Sequence, residues 1–191
     1  MADNDHKSRQ PDGSFASVMA QLLLILRPAR SSSSETKKLQ AHWIAERAFR
    51  LLPDTSLARQ AQGLTRYMEL SALTEFAGML LTCDDRTGHV LRVDRETGRV
   101  HLWTDLGRHV PQFKCEWLTV RGGELYAGSF GKPFVHPETS ELIHKKFLNV
   151  CRVTKEKVVT VVDWERQYDA MKVILRAFCI ENTEHAVKLI V

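Results

Sequence analysis

Apolar residues change their spacing along this chain, and the first part has a helical pattern. In residues 37–52 the apolar side chains recur at helical spacing up to a proline, which predicts an amphipathic helix. The apolar run at 18–26 is too short to span a bilayer, so it favours an ordinary short helix, with a degraded signal or anchor as the alternative. Four serines at 31–34 predict a polar, low-complexity linker. We therefore expect a polar and helical N-terminal head over residues 1–63.

From about residue 64 the apolar segments become short, and turn signals separate them. Two of the turns have nearly the same letters, Asp-Asp-Arg-Thr-Gly at 84–88 and Asp-Arg-Glu-Thr-Gly at 94–98. In such turns aspartate tolerates the geometry and glycine supplies a positive φ. The pattern predicts an antiparallel all-β meander over about 70–162. The spacing becomes helical again from 164 to 180, which predicts a C-terminal helix.

An internal repeat groups the predicted strands. An offset of 45 residues lays Gly78 on Gly123 and Ser71 on Glu116. A repeat of about 40 to 50 residues with four short strands is typical of β-propeller blades. The chain holds about two such units. Two blades cannot close a ring, so their edge strands would stay unpaired unless another part of the protein covers them.

Composition narrows the function only slightly. A hydrophobic content of 43% is enough for a packed core. The 27 Lys and Arg against 23 Asp and Glu give a net charge of +4 without a clustered basic run, so we expect no nucleic-acid partner. The four cysteines are widely spaced and include no Cys-x-x-Cys pair, so the sequence predicts neither a zinc site nor a disulfide framework.

The turn at 84–88 is the first candidate for chemistry. Asp84, Asp85 and Arg86 place two carboxylates and a guanidinium at the end of a predicted buried strand. This combination suits a phosphate or a metal ion. The alternative is a plain hairpin turn, which is enough to explain the similar letters at 94–98. The residues alone leave both interpretations open.

Ser71 and Glu116 are the second candidate. Equivalent positions in successive blades lie at the same depth around a propeller's channel, so the 45-residue offset would point oxygens of both residues toward one axis. A hard cation such as Ca²⁺, which takes about six to eight oxygen ligands, can be held in this way. The alternative is that both are ordinary polar residues at strand starts.

Four motifs, in their order and spacing, resemble the apyrase family of soluble calcium-activated nucleotidases. They are Met68-Glu69-Leu70-Ser71 with Phe76-x-Gly78, Asp84-Asp85-Arg86-Thr87-Gly88, Phe113-Lys114-Cys115-Glu116-Trp117-Leu118, and Leu125-Tyr126-x-Gly128. With a looser similarity after Trp164, the resemblance covers about 66–172. It implies a five-bladed β-propeller that binds Ca²⁺ in its channel. It also implies hydrolysis of nucleoside diphosphates, typically UDP and GDP, in the secretory pathway or outside the cell.

The resemblance also assigns roles to individual residues. Ser71 and Glu116 match two of the family's calcium ligands, and Asp84, Asp85 and Arg86 match a motif that faces the nucleotide. Arg86 would hold phosphate oxygens through its planar fork, while an aspartate would position or activate water. Bound calcium would neutralise charge as the terminal phosphoryl group is lost.

Several family features have no counterpart in this sequence. The opening blade is not matched in residues 1–63, Ala72 replaces an acidic residue, and later segments with further calcium ligands are absent. We therefore expect a truncated or partial member. Residues 64–191 would form about two blades of a five-bladed propeller, and 1–63 a head unrelated to the family.

Two other functions remain open at this point. The chain could be a catalytically dead propeller fragment that acts as a weak calcium-binding or interaction module, because two protein ligands leave most of the coordination sphere to water. The predicted helix at 37–52 could also dock on a membrane surface or on nucleic acid, although only composition favours this.

Overall fold

The computed structural model of the protein describes residues 8–28 and 37–181, and the linker predicted at 31–34 lies outside the described residues. Within the described residues the chain forms twelve β-strands and two α-helices. In chain order they are β1 (Ser17–Pro28), β2 (Lys37–Pro53), α1 (Thr55–Gln60), β3 (Leu70–Phe76), β4 (Met79–Asp84), β5 (His89–Val93), β6 (Arg99–Asp105), β7 (Trp117–Arg121), β8 (Glu124–Gly128), β9 (Phe134–Val135), β10 (Leu142–His144), β11 (Asn149–Val153), β12 (Val159–Asp163) and α2 (Glu165–Glu181). The protein is therefore mostly β, as predicted.

Two four-stranded antiparallel units carry most of this β-structure. The first has the strand order β3-β4-β5-β6 and the second β7-β8-β11-β12. Strands β3 and β7, at one side of each unit, lie next to each other. The antiparallel strands predicted over 70–162 are confirmed, and so is the C-terminal helix, which is α2.

The head does not have the predicted structure. Residues 37–52 lie in strand β2 and residues 18–26 lie in strand β1, which pairs antiparallel with β2, so both predicted helices are wrong. The apolar residues of 37–52 also fit an alternating pattern through Leu39, Trp43, Phe49 and Leu51, which is typical of a strand. Pairing with neighbouring strands decides between two patterns that the sequence permits.

The end of β2 joins the head to the first unit. Leu52 and Pro53 pair in parallel with Arg99 and Val100 of β6, which gives a six-stranded sheet in the order β1-β2-β6-β5-β4-β3. The outer edge of the first unit is thus partly covered by the head itself. Asp54 then starts α1, because its Oδ1 accepts the Leu57 amide at 2.8 Å.

Two hydrophobic clusters support these sheets. One lies within and between the two units and includes Leu81, Val90, Trp103, Phe113, Leu125 and Cys151. The other joins the head to the first unit and includes Phe15, Leu51, Leu57, Tyr67, Leu91 and Val100. Because side chains of the head bury those of β5 and β6, the head stabilises the first unit directly.

The cysteines and the helices of the described residues also bear on the expectations from the sequence. Cys83, Cys115 and Cys151 are buried free thiols. Neither α1 nor α2, the helices of the described ranges, is long and apolar enough to cross a membrane.

The turn at 94–98 packs tightly against β2. Gly98 has a φ of +67°, and its carbonyl oxygen accepts the Leu52 amide at 3.0 Å. A Cβ atom at Gly98 would lie 2.6 Å from the backbone oxygen of Arg50. Gly122, in the turn between β7 and β8, has a similar φ of +60° but no atom within 4 Å of such a Cβ.

We therefore expect Gly98→Ala to destabilise the protein more than Gly122→Ala. Both substitutions place a side chain at a positive φ, at a cost of about 1–2 kcal/mol. Only the first also forces the backbone of β2 to move, which should cost roughly a further 1–3 kcal/mol. Urea unfolding of the two variants measures the difference. Equal unfolding free energies would show that the contact between the turn and β2 is loose.

Candidate functional site

The carboxylate of Asp84 organises the turn at 84–88. Its Oδ1 accepts the amides of Arg86 at 2.9 Å and Thr87 at 2.8 Å, and the Thr87 hydroxyl at 3.0 Å. Its Oδ2 accepts the Glu69 amide at 3.1 Å. Four accepted hydrogen bonds therefore hold the turn and tie it to the segment that leads into β3.

The similar turn at 94–98 uses the same local bonding but differs in burial. Oδ1 of Asp94 accepts the amides of Glu96 at 2.9 Å and Thr97 at 3.0 Å, and these bonds lower the pKa of Asp94. Asp84 is fully buried, and burial raises its pKa despite the hydrogen bonds from Thr87 and Arg86. Turn formation alone thus explains the shared letters. Burial next to other charged groups distinguishes the first turn.

Glu69 is the central charged residue beside this turn. Its side chain is 0% exposed, and its Oε1 and Oε2 accept two hydrogen bonds from Arg66, at 2.5 Å from Nε and 2.6 Å from Nη2. Nε of Arg86 lies 4.0 Å from the same Oε2. A buried carboxylate is thus paired with two arginines, whose side chains are each about one third exposed, at 31% and 35%.

Asp85 also lies against Glu69. Its side chain is buried, and its amide donates to the Glu69 carbonyl oxygen at 3.1 Å. The structure therefore brings together Asp84, Asp85 and Arg86, as expected for consecutive residues of a turn, and adds Arg66 and Glu69 to them. Neither Arg66 nor Glu69 is among the site residues predicted from the sequence. The available signal was a charged pair at positions i and i+3 next to an apolar run.

Ser71 and Glu116 lie at the starts of the adjacent strands β3 and β7. The Cys83 thiol is 3.3 Å from the Ser71 carbonyl oxygen and 3.0 Å from the carbonyl oxygen of Cys115, the residue before Glu116. Burial is the main cause that raises the pKa of Cys83, and the charge of Glu116 contributes. One buried thiol therefore links the two segments that carry the predicted calcium ligands.

A β-bulge follows Ser71 in β3. The pairing with β4 shifts between Ser71 and Thr74, and Ala72 has a φ of +58°. The Thr82 hydroxyl donates to the Ala72 carbonyl oxygen at 2.9 Å, which stabilises the irregular backbone. Bulges of this kind redirect side chains at functional sites. Here the bulge determines the direction in which the start of β3 presents its side chains.

Ser71 and Glu116 are oxygen donors of the type that calcium binds, but two such side chains supply only part of the ligands that calcium takes. A serine hydroxyl and a glutamate carboxylate are hard oxygen donors, which Ca²⁺ prefers. In residues 8–28 and 37–181, however, no group of three His, Cys, Asp or Glu side chains could hold a metal ion. Ser71 and Glu116 would therefore leave most of the ligand positions to water or to a substrate.

A tyrosine and a histidine lie behind the 84–88 turn. The Tyr67 hydroxyl is 3.3 Å from Nδ1 of His89, and their rings meet edge to face at 5.9 Å. The His89 amide donates to the Thr87 hydroxyl oxygen at 3.3 Å. Burial lowers the pKa of His89 and raises that of Tyr67. This pair could not be predicted from local sequence patterns, because residues 67 and 89 become neighbours only through strand pairing.

Comparison with known proteins gives the class of protein. The family model described as Apyrase matches residues 3–181, so the chain belongs to the apyrase family. The resemblance stated from the motifs is confirmed. The match also includes most of residues 1–63, which we predicted to be unrelated to the family. The division into domains at residue 63 stays a prediction.

The chain is also similar in sequence to curated apyrases and to a curated calcium-activated nucleotidase. The chain is 37% identical over 110 residues to "Apyrase" of Cimex lectularius, covering 56% of this chain and 30% of that protein. It is 29% identical over 144 residues to "Soluble calcium-activated nucleotidase 1" of Rattus norvegicus, with 73% and 33% covered. For "Apyrase apy-1" of Caenorhabditis elegans the identity is 35% over 111 residues, with 57% and 30% covered. The chain spans about a third of the length of these relatives.

The lowered pKa of His89 predicts a specific pH dependence of stability. Folding favours the neutral form of His89. Its contribution to stability is therefore fully present above the unfolded-state pKa of 6.5, and it is lost as the pH falls through the lower folded-state pKa. Between pH 7.5 and 5, His89→Gln should therefore lose less stability than the parent. We expect a difference below about 1 kcal/mol, because partial exposure screens the charge.

Thermal melting at several pH values measures this effect. The control is His109→Gln, which changes an exposed histidine and should keep the pH dependence of the parent. If His89→Gln also follows the parent between pH 7.5 and 5, His89 does not stay neutral in the folded state.

Proposed function

We propose that this chain provides part of the active site of a calcium-dependent nucleotidase that hydrolyses nucleoside diphosphates of the UDP or GDP type. The products are the nucleoside monophosphate and inorganic phosphate. The observation that carries the proposal is the turn at 84–88, in which Arg86 is an exposed residue next to Glu69. Cys83, directly before this turn, contacts the carbonyl oxygens of Ser71 and Cys115 in the segments that carry the calcium-ligand candidates. Membership of the apyrase family supports it.

We also propose that the two four-stranded units are two blades of a five-bladed β-propeller. Each unit has four antiparallel strands in sequential order, and β3 and β7 are adjacent. The 45-residue offset supports the same arrangement. Ser71 and Glu116 would then face one channel from neighbouring blades.

The three charged residues of the turn each have a proposed role in hydrolysis. The planar fork of Arg86 holds oxygens of the terminal phosphate. Asp85 positions or activates the water whose oxygen attacks the terminal phosphorus, while the bond from phosphorus to the bridging oxygen breaks and the monophosphate leaves. Asp84 acts through its four accepted hydrogen bonds, which hold Arg86 and Asp85 in place.

Ser71 and Glu116 are the residues that would hold calcium. Glu116 is the stronger candidate, because a hard cation favours an anionic oxygen. Bound calcium supplies positive charge that offsets the charge of the phosphates. We also propose, from the family resemblance, that the protein acts in the secretory pathway or outside the cell.

The second candidate function is a non-catalytic propeller module that binds calcium weakly or binds another protein. The specific observation in its favour is that the described residues hold no group of three metal-binding side chains. Two ligands from this chain predict weak binding, because affinity increases with the number of charged ligands.

Phosphate release from UDP at millimolar calcium tests the proposal. We expect release with calcium and none after chelation. Glu116→Gln removes the charge but keeps the shape, so it should raise the calcium concentration for half-maximal activity by about tenfold. The control, Glu96→Gln, changes an exposed residue of the similar turn and should behave as the parent. Absence of release from UDP in the parent would favour the non-catalytic module.

A further inference from the structure

Arg66 is held in a defined position just before β3. Two parallel hydrogen bonds, at 2.5 and 2.6 Å, join its guanidinium to the carboxylate of Glu69. Such bidentate pairs fix both the distance and the orientation of the guanidinium plane. The Arg66 side chain as a whole is still 31% exposed, so this oriented arginine lies partly at the surface.

Arg86 approaches the same atom from the neighbouring turn. Its Nε lies 4.0 Å from Oε2 of Glu69, the oxygen that accepts the hydrogen bond from Nη2 of Arg66. Two guanidinium groups that both lie next to one oxygen atom are necessarily close to each other. Together they place two planar hydrogen-bond donors next to one oxygen atom of a buried carboxylate.

The backbone of Glu69 makes this pair one structural unit. Its amide donates to Oδ2 of Asp84, and its carbonyl oxygen accepts the amide of Asp85, both at 3.1 Å. The segment that carries Arg66 is thus hydrogen-bonded to the turn that carries Arg86. The backbone segments that carry the two arginines therefore keep their relative position without a ligand, which reduces the entropic cost of binding.

The distribution of charge favours an anion on the exposed side. Glu69, Asp84 and Asp85 are buried, whereas the side chains of Arg66 and Arg86 are each about one third exposed. The accessible face is therefore cationic, and planar guanidinium groups match the geometry of phosphate oxygens.

We propose that Arg66 and Arg86 form one clamp for a diphosphate group, in which each arginine binds one phosphoryl group and Glu69 positions both. This inference rests on the proposed nucleotidase function. It adds Arg66 as a substrate-binding residue and Glu69 as a positioning residue. It also gives a reason for a preference for nucleoside diphosphates over monophosphates, since a single phosphoryl group can use only one of the two arginines.

The first test measures binding of pyrophosphate and of inorganic phosphate by calorimetry in calcium-free buffer. We expect the parent to bind pyrophosphate about tenfold more tightly than phosphate. Arg66→Lys keeps the charge but loses the planar fork, so it should reduce this preference about fivefold or more. The matched control is Arg95→Lys, in the exposed pair of Arg95 with Glu75, which should keep the preference of the parent.

The second test needs no variant and so does not depend on folding of Arg66→Lys. An arginine-specific dicarbonyl reagent is applied with and without pyrophosphate, and mass spectrometry measures modification of each arginine. We expect pyrophosphate to protect Arg66 and Arg86 but not Arg95. Protection of Arg86 alone, or an unchanged preference in Arg66→Lys, would show that Arg66 is only an ion-pair partner of Glu69.

Turnover of UDP, measured in parallel, separates this inference from the proposed function. Pyrophosphate binding with protection of both arginines but without turnover supports the clamp and overturns the nucleotidase proposal. Turnover of UDP without protection of Arg66 overturns the clamp and leaves the nucleotidase proposal in place.

Discussion

The structure around the candidate site depends on keeping carboxylates buried. A buried carboxylate is costly unless hydrogen bonds and opposite charges replace water. Asp84 meets this requirement with three amides and a hydroxyl, and Glu69 meets it with the guanidinium of Arg66. These partners come from the segment before β3 and from the turn after β4. That segment and that turn must therefore fold together. The position of the functional side chains is thus a consequence of how the protein satisfies its buried charges.

The head contributes to the same unit rather than forming a separate layer. The end of β2 covers part of β6, and Phe15, Leu51 and Leu57 extend the hydrophobic cluster that reaches Tyr67. Tyr67 in turn contacts His89, whose amide bonds to the Thr87 hydroxyl in the 84–88 turn. A continuous path of contacts therefore connects the head with the candidate site, so a change in the packing of the head can affect the turn.

Much of this organisation could be predicted from local patterns. Alternating apolar residues and Asp-x-x-Thr-Gly turns predicted the strands over 70–162, and four motifs predicted the family. The head strands could not be predicted, because residues 37–52 fit both helical and alternating spacing and only pairing with β1 and β6 decides between them. Glu69 and the Tyr67–His89 pair were missed for a related reason. Their importance comes from burial and from contacts across strands, which a single segment does not show.

The thiol of Cys83 has a consequence for oxidation chemistry. Cys83 can donate hydrogen bonds to the carbonyl oxygens of Ser71 and Cys115 only as a thiol, because a thiolate has no proton to donate. Its raised pKa keeps it a thiol at neutral pH. Oxidants and alkylating reagents attack the thiolate, and they require access to the sulfur. In the folded protein Cys83 is therefore a poor nucleophile, and the junction between β3 and β7 is protected from peroxide until the two strands separate.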